Sequence, residues 1–275
     1  MPEEMIPRQA MLDTIRGVFE RFGFVPLDNP CVEMEEILTG GDPNFRMQIF
    51  RTSTRSIRGE DLALRFDLTV PLARVIVAYP NEIKKPFKRY QTGKVWRGEK
   101  PQAGRYREFT QFDADIVGTK SVMADAEIVS LMFETMRELE FSDFCIRINN
   151  RKILNGLAEY ASFNAEKLVP VLKEIDKLDK QGWDSVRSEL IGLESEEGIG
   201  LSEKSAELIG NFLELRNGEP EKILADVEKL MPNSPRAQEG VAELKTMVSH
   251  LEALGVPKDI YKIDLSVARG LGYYT

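Results

Sequence analysis

Between Gly93 and Asp115 the sequence "GKVWRGEKPQAGRYREFTQFDAD" sets Lys94, Arg97, Lys100, Arg105 and Arg107 beside Glu99, Gln111, Asp113 and Asp115. If the residues after Tyr106 form a strand, alternate side chains face opposite ways. Arg107, Phe109, Gln111, Asp113 and Asp115 then share one side, and Thr110, Phe112, Ala114 and Ile116 the other. One face is polar and one apolar, the pattern of a sheet packed on a core by one face and open on the other. A solvated face crossed by salt bridges satisfies the alternation equally well. Arg97, a second cation source at the end of the preceding strand, favours a site. Its planar fork matches phosphate, and several arginines around one polar floor suit a polyphosphate. An exposed Phe109 would stack a purine base, while the carboxylates and Gln111 would serve a cationic group such as an α-amino group. A nucleotide beside an amino acid is the combination implied.

These residues must be positioned by a sheet and its helices. "PRQAMLDTIRGVFERFGF" spaces Leu12, Ile15, Val18, Phe19 and Phe22 as an amphipathic helix ending at Gly23. Pro26 and Pro30 favour an extended entry, and "DLALRFDLTVPLARVIVAYP" reads as a strand leading into a helix. Phe87–Val95 and "RYREFTQFDADIV" read as two antiparallel strands joined by the polar loop "GEKPQAG". "SVMADAEIVSLMFETMRELEF" predicts a helix with Ile128, Leu131, Met132 and Leu139 along one face, and "DFCIRINN" a short strand. From Asn164 to Val256 the period is helical throughout. Leu168, Val171, Leu172, Ile175 and Leu178 recur at helical spacing, as do Leu208, Ile209 and Phe212. Ser234 before Pro235 reads as an N-cap, and Gly255 as a helix end. Ile263, Leu265 and Val267 then alternate, so a sheet interrupted by a helical insertion is expected to resume.

Composition bounds the rest. The chain has 275 residues, 42% hydrophobic and 30% charged, enough for one large domain or two smaller ones. No apolar run approaches the roughly 18 residues of a membrane span, and the N-terminus lacks a basic-then-apolar signal, so a soluble cytoplasmic protein is expected. A net charge of −8 argues against a nonspecific nucleic-acid binder but leaves room for a local basic site. Cys31 and Cys145 are far apart and are expected to be buried small hydrophobes rather than a disulfide or zinc ligands. His250, the one histidine, lies on an expected helix in a surface or packing role, which excludes any mechanism needing two.

"LRFDLTVPLARV", "VWRGEKPQAGRYREFTQFDADIVG", "ADAEIVSL" and "LSVARGLGYYT" follow one another in an order and spacing that resembles the histidyl-tRNA synthetases, members of the class II aminoacyl-tRNA synthetases. "RGEKPQAGRYREF" is similar to class II motif 2, and "ARGLGYYT" resembles a signature of the histidine enzymes. The resemblance implies an α+β fold, a mainly antiparallel sheet flanked by helices with an all-helical insertion. It divides the chain into a first catalytic part (1–163), the insertion (164–256) and a catalytic return segment (257–275). It implies that Arg97 grips the ATP α-phosphate and the substrate carboxylate, Glu99 contacts the adenine amino group, Arg105 reaches the γ-phosphate and Phe109 stacks on adenine. Asp67, Leu68 and Thr69 of "RFDLT", with Gln111 and Asp115, would hold the α-amino group of histidine. Tyr273 and Tyr274 would line the imidazole pocket, and Arg269 would stabilise charge at the α-phosphate. Mg2+ would ride on the ATP phosphates without a protein metal site. A histidine-specific tRNA is the implied second substrate, and a homodimer is implied through the segment around Pro30, a position that a plain helix-breaking proline would also explain.

Other readings stay open beside these. Asp67 would equally cap the helix that begins near Pro71, and "GLGYYT" would serve as a Gly-rich turn. Lys84, Lys85, Lys88 and Arg89 would form a solvated face or contact tRNA phosphates. Gly272 stands where the family usually has Asp. Thr275 precedes the Gly-rich motif 3 and the anticodon-binding domain, so a fragment of a longer synthetase is expected. The alternatives are the histidine-sensing regulatory subunit of ATP phosphoribosyltransferase and a structural or tRNA-binding module with a vestigial floor. Arg269 and the helical insertion favour the synthetase over the regulator.

Overall fold

The computed structural model describes residues 1–40, 46–52, 61–100, 103–192 and 198–268. The chain divides into two compact units, Met1–Lys120 and Ser121–Thr275.

The first unit is organised by two ten-residue strands, β5 (Phe87–Trp96) and β6 (Glu108–Val117), paired antiparallel from Phe87↔Val117 to Trp96↔Glu108. The short β1 (Val25–Pro26) adds in parallel to β5. Helix α1 (Pro2–Arg21) covers the apolar face and ends before Gly23, whose φ of 78° favours glycine. Its Phe19 ring lies 5.0 Å from Phe112 and 6.2 Å from Tyr90, both near edge-on. The Tyr90 hydroxyl donates to Glu20 Oε1 at 2.7 Å, so the ring is buried while its polar tip is satisfied. The expected division into an apolar and a polar face is therefore present.

A second small sheet orders β2 (Val32–Met34), β4 (Leu62–Leu64) and β3 (Arg51–Thr52) as β2-β4-β3, all antiparallel. Helix α2 (Glu35–Thr39) follows β2, and Leu38, Ile49, Ala63 and Phe66 form the small core beside it. Helix α3 (Thr69–Ala78) begins where "RFDLT" ends. Arg65 ties the pieces together: its N–H donates to Cys31 O, its carbonyl accepts from Trp96 N, and its guanidinium donates to Asn29 O at 2.6 Å and Lys94 O at 2.8 Å. That side chain crosses Gly93, where an added Cβ would stand 2.3 Å from Arg65 Nη2.

In the second unit α4 (Val122–Glu138) starts at Ser121, whose hydroxyl accepts from Met123 N. Its buried residues are Ala126, Val129, Ser130 and Leu131, while Met132 is exposed, so the inward stripe is rotated from the expected one. Small Ala126 and Ser130 make that face, which hydrophobic spacing alone passes over. Strand β7 (Ile146–Ile148) and strand β8 (Tyr261–Ile263) pair in parallel, Ile146↔Tyr261 to Ile148↔Ile263. A parallel pair needs a long crossover, and here it holds the helices between them: α5 (Arg151–Asn155), α6 (Leu157–Tyr160), α7 (Leu168–Ile175), α8 (Leu178–Ile191), α9 (Glu203–Glu214), α10 (Pro220–Leu230) and α11 (Pro235–Ala253). Val171, Leu172, Ile175, Ile209 and Phe212 point into one core, as their spacing requires. Ser234 precedes α11, but its hydroxyl makes no capping bond, and Gly255 (φ 75°) follows the helix end. His250 is half-buried in the last turn of α11.

Both cysteines are exposed, against expectation. In the second unit β-alternation sends Ile146 and Ile148 inward and leaves Cys145 outside; Cys31 sits in the bend that enters β2. Among the described residues no helix is long and apolar enough to cross a membrane.

Phe19 is 8% exposed and touches Phe24, Tyr90 and Phe112. Phe19→Ala is expected to cost about 3–5 kcal/mol, from lost burial plus the cavity left behind, read as a lowered urea midpoint.

Candidate functional site

Arg97 leaves the end of β5 with its N–H bonded to Arg107 O at 2.8 Å, which closes the strand pair beneath it. Its guanidinium lies 4.4 Å from the centre of the Phe66 ring and 5.0 Å from that of Phe109. Two aromatic faces hold one planar cation, and Nε reaches Phe66 O at 3.4 Å. Gly98 donates to Gln48 O at 2.6 Å, and a Cβ there would stand 3.1 Å from that oxygen, so glycine permits the close approach. Beyond it Glu99 faces Arg105 at 3.6 Å, and the Glu99 carbonyl accepts from Arg107 Nε at 3.2 Å. Arg97, Glu99, Lys100, Gly104, Arg105, Tyr106 and Phe109 line one cavity of about 310 Å3.

Next to Phe109 along β6 lies the polar floor. Register places Arg89 opposite Asp115, Gln91 opposite Asp113, and Gly93 opposite Gln111. Arg89 is fully buried. Its Nη2 donates to Leu68 O at 2.8 Å and stands 2.7 Å from Asp115 Oδ2, a close ion pair rather than an aligned hydrogen bond. Asp67 Oδ1 accepts from Thr69 N and Val70 N, both at 2.9 Å, and so caps α3 from the turn before it. Its Oδ2 is buried without a hydrogen-bond partner among the described residues, as are Gln91 Oε1 and Gln111 Oε1. All three are acceptors. Buried acceptors without donors are costly, and a donor-rich cation is the ligand that satisfies them.

The electrostatics agree. Burial pushes Asp113 up to about 6; Arg89 offsets this, and Asp115 and Asp67 add to it. Burial also raises Asp115, against the pull of Arg89. Carboxylates with raised pKa on one floor have surplus affinity for positive charge.

In the second unit the segment leading toward Arg269 is anchored rather than loose. Asp264 N donates to Ile148 O at 2.8 Å, and Asn149 Nδ2 donates to the carbonyls of Leu265 and Val267 at 3.2 and 3.0 Å. Burial would raise Asp264, but hydrogen bonds from Ser266 and from Arg147 hold it below the usual carboxylate range.

A family model described as histidyl-tRNA synthetase matches residues 1–275. The chain belongs to the histidyl-tRNA synthetase family. A histidine–tRNA ligase of Clostridium tetani is 43% identical over the whole chain, and one of Wolinella succinogenes 42%. The chain spans 61% of the length of each of these relatives. Among solved structures, histidyl-tRNA synthetase from Nostoc superposes with a TM-score of 0.84 at 34% identity, over 99% of this chain and 60% of that one. An ATP phosphoribosyltransferase regulatory subunit/histidyl-tRNA synthetase from Bacillus halodurans gives 0.83 at 21% identity, covering 100% of this chain and 68% of that one, a likeness of fold. The expected family and fold class are thus shown.

Within that family frame the structure brings Arg97, Glu99, Arg105 and Phe109 to one cavity, and Asp67, Gln111 and Asp115 to the adjoining floor, with Leu68 in the turn before α3 and Thr69 as the first residue of that helix. Arg269, Gly272, Tyr273 and Tyr274 lie outside the described residues. The basic run is split. Lys84 and Lys85 are exposed, but Lys88 turns to Phe22 O at 3.3 Å, and Arg89 is in the interior rather than on a solvated face. Strand alternation sends those neighbours to opposite sides of the sheet. Arg65, Arg89 and Gln91 were missed as site residues, although continuing the alternation back along β5 would have put Arg89 and Gln91 on the polar face.

Asp113 binds its proton more tightly folded than its ordinary value of 3.8 allows. The folded state therefore holds the extra proton between pH 4 and 6, and stability falls as pH rises through that window. Asp113→Asn is expected to be more stable than the parent at pH 8, by about 1–2 kcal/mol after allowing for the water that reaches this group. The gain should vanish near pH 4, as urea midpoints at the two pH values would show.

Proposed function

We propose that this chain carries the amino-acid-activating centre of a histidine–tRNA ligase: histidine and ATP give histidyl-adenylate and pyrophosphate, and histidine then passes to the 3′ end of its tRNA. The observation that carries the reading is Arg97, held between Phe66 and Phe109 at the junction of the cation-lined cavity and the acceptor-lined floor. A polyphosphate fits one side of that guanidinium and an α-ammonium the other.

The chemistry needs little from the protein beyond position and charge. The histidine carboxylate is ionised at pH 7, so no general base is required. One of its oxygens forms a bond to the α-phosphorus as the bond to the pyrophosphate oxygen breaks, and the electron pair leaves with pyrophosphate. Arg97 would bring the carboxylate and the α-phosphate together and stabilise the charge that builds there. Glu99 would read the adenine amino group, Phe109 would stack on the base, and Arg105 would meet the γ-phosphate. Asp67, Thr69, Gln111 and Asp115 would receive the α-ammonium, with the partnerless Asp67 Oδ2 and Gln111 Oε1 as its acceptors. By their likeness to the family signature, Arg269 would stabilise charge at the α-phosphate and Tyr273 and Tyr274 would recognise the imidazole. Glu99 is the carboxylate of the cavity, and no group of three metal-ligating side chains comes together among the described residues. By likeness to the family, magnesium would enter on the phosphate oxygens as part of the nucleotide substrate. Family membership supports a tRNA partner, a homodimer and a cytoplasmic setting as parts of the same reading.

Histidine-dependent exchange of pyrophosphate into ATP tests it on this chain. Exchange is expected, and Arg97→Ala should lower it at least 100-fold. Arg97→Lys should recover little, since lysine keeps the charge but lacks the planar fork. Histidine binding without exchange in either this chain or a longer form of it would favour a histidine-sensing regulator instead.

A further inference from the structure

Arg89 is fully buried, beside the carboxylates of β6. Through one nitrogen it reaches two elements: the Leu68 carbonyl, in the turn that precedes α3, and the Asp115 carboxylate on β6. Leu68 follows Asp67, whose Oδ1 is already committed to the α3 N-terminus and whose Oδ2 has no donor among the described residues. The same guanidinium thus sets the positions of both carboxylates that flank the floor. The charged groups that act with Arg89 on Asp113 and Asp115 of β6 are Asp67, from the turn before α3, and Arg97, from the end of β5. Asp28, after β1, is held by Gln91 Nε2 at 3.1 Å. Burying an arginine is costly without such partners, and removing it would leave like charges facing one another.

We propose that Arg89 is a positioning residue for the amino-acid subsite, fixing Asp115 and the Asp67 turn toward an incoming α-ammonium. The proposal deepens the activation reading above and rests on it. Arg89 acts through its neighbours, so its loss should injure the ammonium subsite while sparing the nucleotide cavity, to which it contributes no lining side chain.

Calorimetric titration of this chain with histidine and, separately, with ATP tests it. Arg89→Met is expected to weaken histidine at least tenfold and to change ATP less than threefold. It should also move the loss of histidine affinity on acidification to higher pH, because Asp113 and Asp115 lose the cation that opposes their protonation. The imidazole of free histidine titrates identically whether parent or variant is the partner, and cancels in that comparison. Arg89→Lys keeps the charge but replaces the planar fork with a compact, strongly hydrated ammonium on a flexible stem, which holds Leu68 O and Asp115 less firmly; it should recover the parental pH profile with a residual loss of about fivefold, and it stands in if Arg89→Met does not fold. Unchanged histidine affinity in either soluble variant, an equal loss for both ligands, or an unmoved pH profile in Arg89→Met would overturn the proposal. A parent chain that binds ATP but no histidine would overturn the activation reading itself, and the role of Arg89 with it.

Discussion

Ten consecutive antiparallel pairs, from Phe87 opposite Val117 to Trp96 opposite Glu108, decide which side chains of the first unit meet. A slip of β6 by one residue would exchange its faces, sending Phe112 to the floor and Asp113 and Asp115 beneath α1. The register is therefore enforced twice. The apolar side is locked by the cluster of Phe19, Tyr90 and Phe112, and the polar side by the Arg89–Asp115 pair and by Arg65 lying across Gly93. Packing and electrostatics select the same alignment, so the site inherits its geometry from the core.

The polar side is unusual in what it leaves undone. Interiors normally pair their acceptors, yet Asp67 Oδ2, Gln91 Oε1 and Gln111 Oε1 have no donor among the described residues, and Asp113 is pushed up to about 6. The floor holds unsatisfied demand for a cation, while the adjoining cavity is lined by Arg97, Lys100 and Arg105. Two opposite fields meet at Arg97. A zwitterionic ligand with its ammonium on the floor and its carboxylate at Arg97 would be oriented by charge before any shape recognition of its side chain.

The second unit applies the same logic to a loop. Strand β8 returns to β7 after the helical crossover and ends at Ile263, after which Asp264, Ser266, Arg147 and Asn149 replace ladder bonds with side-chain bonds. The expected alternation of Ile263, Leu265 and Val267 thus continues in sequence beyond the point where the strand stops. The turn is built from polar side chains that fix the backbone leading out of it.

Much of this was legible without coordinates. Period-two alternation in "REFTQFDAD" gave both faces of β6, helical spacing gave α1 and the helices between 164 and 256, and Gly23 and Gly255 marked the helix ends where φ turns positive. These features are local, set by backbone geometry acting on a few neighbouring residues. What tertiary structure decided depends on partners distant in sequence. Arg89 left its basic run because Asp115 and Leu68 were there to receive it, Cys145 faced outward because Ile146 and Ile148 took the core, and α4 turned the small Ala126 and Ser130 inward. The sequence alone determined which residue types alternate and where glycine ends α1 and α11; the fold decided where β8 stops and which charges are buried, because the cost of burying a charge depends on what stands opposite it.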